Sequence, residues 1–285
     1  MNVFKKMTWS ILLASCVVFF TACSDDDEGS NTNPPINPLE VFTSGLPKSA
    51  AGMLMSYTNG LLTKIVTNDG EKVLFDYGTQ ITNSSQQRSS SSNGITMSIY
   101  DEDDNLEYYF YNMAFGNNGF LKSCSEKTYD EIDGEQIETW SFEYNKDGHL
   151  ISMKRSEGDN EVTSIKYENG NITEVSMTSD DDDSLNVKVF YTSTEITTPI
   201  KNKNCIMLFD ITFGIDMDEM NYAYWAGFLG KATKSLPVMT TSMWNGEEYY
   251  EEETETFEWI IKNESVLKMI QRTSEGTEEY LFSWE

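Results

Sequence analysis

One short pattern recurs along most of the chain and constrains its fold more than any other feature. Around a glycine-containing turn, an aromatic residue lies three or four positions before the glycine, Leu or Ile lies two after it, and an apolar residue or Cys lies five after it. The turn positions of the five copies are Gly60, Gly119, Gly148, Gly170 and, without glycine, Ser265. Asn-Gly and Asp-Gly supply the positive φ that tight hairpin turns need, so each copy predicts a β-hairpin.

The residues that flank these turns alternate between apolar and polar. In residues 139–144, for example, Trp140, Phe142 and Tyr144 alternate with polar side chains. A period of two predicts strands with one apolar and one hydrated face. Because a lone hairpin cannot bury its apolar face, the repeats must pack together. We therefore predict an all-β fold in a single domain, 46–285, built as a curved antiparallel β-meander that is open or nearly closed into a barrel.

Residues 216–230 interrupt the β pattern. Asp216 and Glu219 have the D-x-x-E spacing of a capping box, and Gly230 could end a helix that begins there. Apolar residues recur at helical spacing between these ends, namely Met217, Met220, Tyr224 and Phe228. A helix that is apolar on most sides is buried. We expect one inserted helix near 217–229, within an insert of about 205–240, that lies against the concave face of the sheet or across a barrel mouth.

The N-terminus has the features of an export signal. Lys5 and Lys6 precede an apolar run at 11–20, and small residues precede Cys23. This order predicts a signal peptide over residues 1–22. Its end resembles the lipobox of bacterial lipoproteins, which implies that Cys23 becomes the lipidated N-terminus and that residues 23–45 form a flexible tether.

The residues after Cys23 indicate a location. Ser24–Glu28 read SDDDE and resemble the surface-export signal of Bacteroidetes lipoproteins. Together with the lipobox resemblance, this implies a lipid-anchored protein of the outer membrane that is exposed on the cell surface.

Two family resemblances follow from these features. The turn repeats resemble the YD (Rhs-type) pattern, which also reads aromatic, turn glycine, Leu. With the lipobox and the segment 224–237, the chain is similar to Bacteroidetes surface lipoproteins of unknown function with a porin-like fold. The resemblance covers roughly residues 50–285 and implies a barrel-like β-fold without indicating an activity.

The charge excludes one class of partner. The chain has 47 acidic residues against 20 Lys and Arg, a formal net charge of −27. That field repels nucleic acid, so we expect no nucleic-acid partner. No G-x-S-x-G, P-loop or dinucleotide motif occurs, and His149, the single histidine, lies in the variable position after a turn glycine. We therefore predict no cofactor, no catalytic residue and no enzymatic activity.

Acidic turns are weak candidates for calcium. The consecutive carboxylates that could bind it at a hairpin tip are Asp180, Asp181, Asp182 and Asp183. A second acidic turn at 101–105 mimics the start of an EF-hand loop, but Leu106 stands where that loop needs glycine. The EF-hand motif therefore fails, and a solvated hairpin tip is the favoured interpretation of Asp180–Asp183, so no metal site is assigned.

Two cysteines remain after Cys23. An exported protein tolerates disulfides, so Cys124 and Cys205 could pair, or both could stay as buried free thiols. No C-x-x-C spacing occurs, which excludes the common redox and zinc motifs.

The function that we favour is non-enzymatic binding of a glycan or protein by a lipid-anchored surface protein. Consecutive aromatics such as Tyr108–Tyr111 must point to alternate faces of a strand, which leaves some outside for a partner. The Ser-rich stretch 84–93 is typical of a flexible loop. Two alternatives stay open: an outer-membrane porin-like β-barrel and a carboxylate-dependent polysaccharide hydrolase.

Overall fold

The structure is a computed structural model that describes residues 35–78, 94–130, 134–156, 160–180, 184–245 and 250–285. The predicted signal peptide, Cys23, most of the tether, the Ser-rich stretch 84–93 and Asp181–Asp183 lie outside these residues.

Within the described residues, sixteen antiparallel strands form a closed barrel in which each strand pairs with its neighbours along the chain. Two further strands, β13 and β14, pair only with each other, and β12 pairs directly with β15. The barrel closes between β1 and β18. The strands are β1 (Pro47–Ala50), β2 (Met53–Thr58), β3 (Leu61–Val66), β4 (Lys72–Asp76), β5 (Thr96–Tyr100), β6 (Leu106–Phe115), β7 (Leu121–Asp130), β8 (Gly134–Tyr144), β9 (Leu150–Arg155), β10 (Val162–Glu168), β11 (Asn171–Thr178), β12 (Ser184–Phe190), β13 (Ile200–Lys201), β14 (Ser235–Leu236), β15 (Met239–Asn245), β16 (Tyr250–Lys262), β17 (Ser265–Arg272) and β18 (Thr277–Trp284).

The predicted all-β meander is confirmed, and the sheet is closed. Strand β10 shows how the alternation separates the two sides of the wall: Thr163 and Ile165 are buried in the lumen, whereas Ser164 and Lys166 are exposed on the outer wall. Full closure removes the sheet edges, and the apolar faces of all the strands then pack into one shared interior.

The repeat's turn chemistry is also confirmed. Gly60, Gly148 and Gly170 have φ of 79°, 88° and 82°, in the left-handed region that favours glycine. In the copy without glycine, Asn263 and Glu264 adopt that region instead, with φ of 51° and 68°. The pairing of β16 with β17 therefore holds the turn even where the sequence lacks its preferred residue.

The lumen is filled by the segment between β12 and β15, residues 191–238, which we call the plug. It contains helix α2 (Phe209–Phe213), a 3₁₀ turn (Asp218–Asn221) and helix α3 (Tyr222–Trp225). The Phe228 ring packs edge-to-face on three wall rings, with centroids 4.9 to 6.2 Å away: Phe75, Tyr77 and Phe115. The apolar sides of the plug and of the wall thus form one core.

The inserted helix is confirmed as a buried element but is shorter than predicted. The 3₁₀ turn and α3 cover 218–225, and the chain turns at Gly227, which has a φ of 84°. The D-x-x-E capping box does not form: Asp216 accepts a hydrogen bond from the Asp218 N–H (3.2 Å), and the Asp216 carboxylate also pairs with Arg155 on the wall. Wall partners therefore replace the local cap that the spacing suggested.

The two ends of the barrel differ. Turns at 51–52, 67–71, 101–105 and 273–276 lie at what we call the acidic end. The repeat's glycine turns lie at the other end, which we call the N-terminal end because helix α1 (Pro38–Val41) packs there. The Ile36 N–H donates to the Gly119 carbonyl (2.9 Å), and Phe42 stacks on Trp225 of the plug at 5.9 Å between ring centroids.

Candidate functional site at the acidic end

A cavity of about 440 Å³ opens at the acidic end, between the plug and the turns that join β1 to β2 and β3 to β4. Its polar lining comes from both sides: Asp69 and Glu71 from the turn, and Asp210 and Tyr222 from the plug. Trp225, only 2% exposed, contributes an aromatic surface. The lumen below is packed, so a ligand can occupy the mouth but cannot pass through it.

Glu71 is the best-fixed carboxylate in this cavity. It follows the β3/β4 turn and accepts a hydrogen bond from the Tyr222 hydroxyl (2.9 Å). Partial burial raises the pKa of Glu71, and the charge of neighbouring Asp69 raises it further. Tyr222 therefore positions Glu71, while its environment disfavours an uncompensated negative charge.

Asp210 is the plug's contribution to the same cavity. Desolvation raises its pKa, and the charge of Asp216 adds to the effect. Among the described residues, no Lys, Arg or His lies within ion-pair distance of Asp69, Glu71 or Asp210. The cavity thus presents carboxylates without a cationic partner from the described part of the chain, and a positively charged group would relieve their repulsion.

A buried ion cluster holds the plug beside this mouth. Arg155 at the end of β9 is 9% exposed, and its Nη2 lies 3.1 Å from Glu161 and 3.3 Å from Asp216. Its Nη1 pairs with Asp218 on the plug. The guanidinium carbon lies 5.7 Å from the centroid of the Trp140 ring. One cation therefore joins the wall to two plug carboxylates.

A second polar contact lies on the neighbouring strands. The Tyr108 hydroxyl of β6 donates to Glu219 of the plug, and burial raises the Glu219 pKa to about 7. Nearby Glu126 of β7 raises it as well and accepts a hydrogen bond from the Trp140 Nε1–H (2.6 Å). Burial and this neighbouring charge thus bring the Glu219 pKa close to neutral pH.

The predicted calcium candidates do not form a described site. Asp180 accepts a hydrogen bond from the Asn160 side chain (2.8 Å), and Asp181–Asp183 lie outside the described residues. Among the described residues no group of three or more His, Cys, Asp or Glu is arranged to hold a metal. The 101–105 turn is capped internally, since Asp101 accepts from the backbone N–H groups of Asp103 (2.9 Å) and Asn105 (2.8 Å). The side-chain amide of Asn105 also donates to Asp101 (2.8 Å) and is the largest cause of the lowered Asp101 pKa, to which the two backbone bonds add.

The suggested disulfide is absent from the structure. Cys124 faces the lumen from β7 and is buried, whereas Cys205 lies in the plug and is half-buried, and both are free thiols. Burial raises the pKa of each thiol, which makes both poor nucleophiles.

His149 has a packing role that its position in the repeat did not indicate. Its ring stacks on Tyr167 with centroids 4.8 Å apart, and Nδ1 lies 3.0 Å from the Lys231 carbonyl of the plug. Neither contact activates a nucleophile.

The aromatic run on β6 follows the predicted alternation. Phe110 is buried in the lumen and Tyr108 reaches the plug. Tyr109 and Tyr111 lie on the outer wall, stacked nearly parallel with ring centroids 5.5 Å apart.

Sequence reasoning missed the residues that build the mouth. Glu71 and Asp210 belong to no motif, and among 47 acidic residues a functional carboxylate gives no signal of its own. The one usable clue was the placement of acidic residues in the turns that a meander brings to the same end.

Residues 54–268 match a protein family described as a domain of unknown function (DUF4595) with porin-like fold. The chain belongs to this family. No curated protein matches the chain.

Solved structures support the same fold. A porin-like protein from Bacteroides uniformis ATCC 8492 is similar with a TM-score of 0.54 and 16% identity, over 82% of this chain and 89% of that chain. A porin-like protein from Bacteroides vulgatus ATCC 8482 is similar with a TM-score of 0.52 and 11% identity, over 84% of this chain and 99% of that chain. Among the described residues, no helix is both long enough and apolar enough to cross a membrane.

Proposed function

We propose that this family member is a lipid-anchored protein of the outer cell surface that binds a glycan or protein, without catalysis, at the acidic end. The observation that carries the proposal is the cavity there, in which Asp69, Glu71 and Asp210 face a ligand-sized space without a described cationic partner. These three carboxylates favour a ligand with an ammonium or guanidinium group, such as an amino sugar or a Lys- or Arg-bearing segment. Tyr222 and Trp225 add aromatic surface for such a cation.

The electrostatic field of the whole molecule also favours a positively charged ligand. Turn residues at the acidic end include Asp101, Glu102, Asp103 and Glu275. A rim of one sign raises the local concentration of oppositely charged ligands and their association rate. Binding at this site should therefore weaken steeply with added salt.

The anchor part of the proposal rests on the lipobox resemblance at Cys23. Replacing Cys23 with Ser should release the protein from the membrane fraction while the β-domain still folds. Metabolic labelling with a fatty acid checks the lipid directly. If the C23S protein is still acylated and membrane-bound, the anchor proposal is wrong.

The binding site can be tested with a double substitution, Glu71→Gln with Asp210→Asn. Glycan-array and basic-peptide binding should fall at least about tenfold, since two unpaired carboxylates contribute roughly 1 kcal/mol or more each to a cationic ligand. The matched control is Glu258→Gln with Glu279→Gln, which removes two exposed outer-wall carboxylates. Absence of any binder for the parent protein, or equal losses in both variants, would contradict the proposal.

The outer wall supports an anchored domain over a membrane-spanning barrel. Lys166, Glu174 and Lys188 are opposite neighbours on β10, β11 and β12, and Lys166 Nζ lies 2.6 Å from Glu174. A Lys or Arg facing lipid at the bilayer midplane costs about 2–4 kcal/mol. The hydrolase alternative would require turnover on a polysaccharide panel that a single carboxylate substitution abolishes.

A further inference from the structure

The N-terminal end of the barrel holds a second and larger cavity, of about 760 Å³. It lies between the plug, two glycine turns, and the end of α1 with the residues that follow it. Its lining includes both signs of charge and two rings: Glu40, Asp147, His149, Tyr167, Lys231 and Lys234. It shares no lining residue with the cavity at the acidic end.

The two lysines are fixed by their backbones. The Lys231 N–H donates to the Gly148 carbonyl (2.8 Å), and the Lys234 N–H donates to the Gly170 carbonyl (2.9 Å). The plug is thereby attached to two successive turns of the repeat. Both side chains are exposed, and among the described residues no carboxylate lies within ion-pair distance of either ammonium group. Two lysine backbones are thus fixed at one rim of the cavity, and their exposed ammonium groups remain available to an anion.

The rings between the lysines are fixed as well. Because the Lys231 carbonyl can only accept, a hydrogen bond over its 3.0 Å from His149 needs the proton on Nδ1, which leaves Nε2 as an acceptor in the neutral ring. Tyr167 stacks on that ring, and its buried hydroxyl has no hydrogen-bond partner among the described residues. This part of the cavity is polar and rigid.

Glu40 and Asp147 add two carboxylates to a lining that also has two ammonium groups, so the cavity has charges of both signs. A simple anion would meet repulsion from these carboxylates, and a simple cation would meet repulsion from the lysines. A zwitterion with its phosphate at the lysines and its ammonium at the carboxylates satisfies both.

The position of the cavity indicates where such a zwitterion would come from. Glu40, Val41 and Thr43, which line it, follow directly on the segment that leads back to Cys23. The thirteen residues from Cys23 to Pro35 span at most about 45 Å, so an anchored protein keeps this end near the bilayer.

We propose that this cavity binds the phosphoethanolamine headgroup of a phospholipid in the membrane that carries the anchor, with the phosphate at Lys231 and Lys234 and the ammonium at Glu40 and Asp147. The membrane location rests on the proposed anchoring, whereas headgroup recognition does not. Bound in this way, the barrel stands on the membrane with its acidic end directed away from it.

The strong net charge does not prevent this orientation. A strand of eight residues rises about 26 Å, so the turns at the acidic end lie at least two Debye lengths from the N-terminal end at physiological ionic strength, where that length is about 8 Å. The local charges of the cavity therefore decide what binds there.

Calorimetry on the unlipidated chain 35–285 tests the recognition step. Glycerophosphoethanolamine should bind saturably. Glycerophosphocholine, whose ammonium cannot donate a hydrogen bond, should bind at least about tenfold more weakly, and inorganic phosphate should compete poorly. Lys231→Gln with Lys234→Gln should reduce headgroup affinity at least about tenfold. The matched control, Lys166→Gln with Lys188→Gln on the outer wall, should leave it unchanged.

Vesicles then identify the source of the headgroup. The same chain should sediment with phosphatidylethanolamine–phosphatidylcholine vesicles more than with pure phosphatidylcholine vesicles. Lack of saturable binding, equal binding of phosphate alone, or an unaffected K231Q/K234Q variant with a parental melting temperature would overturn the proposal. Because this chain lacks Cys23, failure here is distinct from failure of the anchor, and an unchanged result in E71Q/D210N separates it from the acidic-end site.

Discussion

At the scale of the residue, a few polar side chains decide how the plug sits in an apolar lumen. Arg155, Glu161 and Asp216 form the clearest case, since a cation that is 9% exposed meets carboxylates from the wall and from the plug. Breaking a buried ion cluster by removing one partner leaves charge uncompensated, whereas an exposed pair contributes little.

Arg155→Ala should therefore lower the free energy of unfolding by about 3–5 kcal/mol, because Glu161 stays buried without its partner. The control is Arg272→Ala, which removes an exposed outer-wall pair with Glu258 (2.7 Å) and should cost less than about 1 kcal/mol. Urea unfolding monitored by tryptophan fluorescence measures both. Equal costs in the two variants would contradict the structural role of the cluster.

A single residue, Glu219, makes the free energy of unfolding depend on pH. Its pKa rises from 4.5 to about 7 on folding, so the native state binds more protons than the unfolded state between these values. Stability from this group is therefore complete below about pH 4.5 and is lost as pH rises through 7. The loss should be about 2 kcal/mol, allowing for partial solvent exposure.

Glu219→Gln should flatten this dependence, and the variant should be more stable than the parent at pH 8. Unfolding free energies measured at pH 5 and pH 8 give the slope for each protein. If the parent and E219Q proteins keep the same slope, burial does not raise this pKa as described. Glu258→Gln on the exposed wall serves as the control and should leave the slope unchanged.

At the scale of the element, the glycine turns serve two different needs. Gly60 and Gly230 both have positive φ, at 79° and 89°. A Cβ on Gly60 would meet nothing within 4 Å. On Gly230 it would lie 2.8 Å from the Gly148 carbonyl oxygen and 3.0 Å from the Tyr144 ring. The first glycine is needed for conformation alone, and the second also for close packing of the plug against a turn.

Gly60→Ala should cost about 1 kcal/mol, from left-handed strain only. Gly230→Ala should cost roughly 2–4 kcal/mol, because the methyl group meets backbone and a packed ring in addition. Thermal unfolding of the two variants compares them directly. Similar melting temperatures would show that plug and turn are not packed as closely as the structure has them.

At the scale of the whole molecule, a porin-like barrel has its interior filled and its exterior charged. The lumen is packed by Trp225, Phe228 and Leu229, each at most 2% exposed. Exposed apolar residues on the outer wall have charged strand neighbours, since Ile137 lies opposite Lys127 and Leu281 lies opposite Lys268. Such a molecule should behave as a globular domain and not as a membrane-spanning barrel.

The chain 35–285 should therefore be monodisperse without detergent and should produce no conductance steps in a planar bilayer. Gel filtration with light scattering checks the first outcome, and bilayer recording checks the second. A requirement for detergent, or discrete channel openings, would favour the membrane-spanning alternative. A genuine general porin recorded in the same bilayer serves as the positive control.

Much of the architecture was available from local sequence. Turn glycines and alternation depend on single residues and their neighbours, and they predicted the hairpins and the all-β class without any long-range contact. The helical stretch was predicted at the correct place, but Arg155 and Tyr108 on distant strands took up Asp216 and Glu219, the two residues expected to cap it. The length of the helix therefore could not be predicted from the local sequence.

The sequence by itself determined the repeating hairpin, because the φ of glycine and a period of two are properties of a few adjacent residues. Only the tertiary structure decided that the sheet closes, that the plug fills it, and that Glu71 and Asp210, far apart in the chain, line one cavity. Closure and the two cavities depend on pairings between remote residues, such as β1 with β18 and Lys231 with the Gly148 turn. A local sequence pattern contains no information about those contacts.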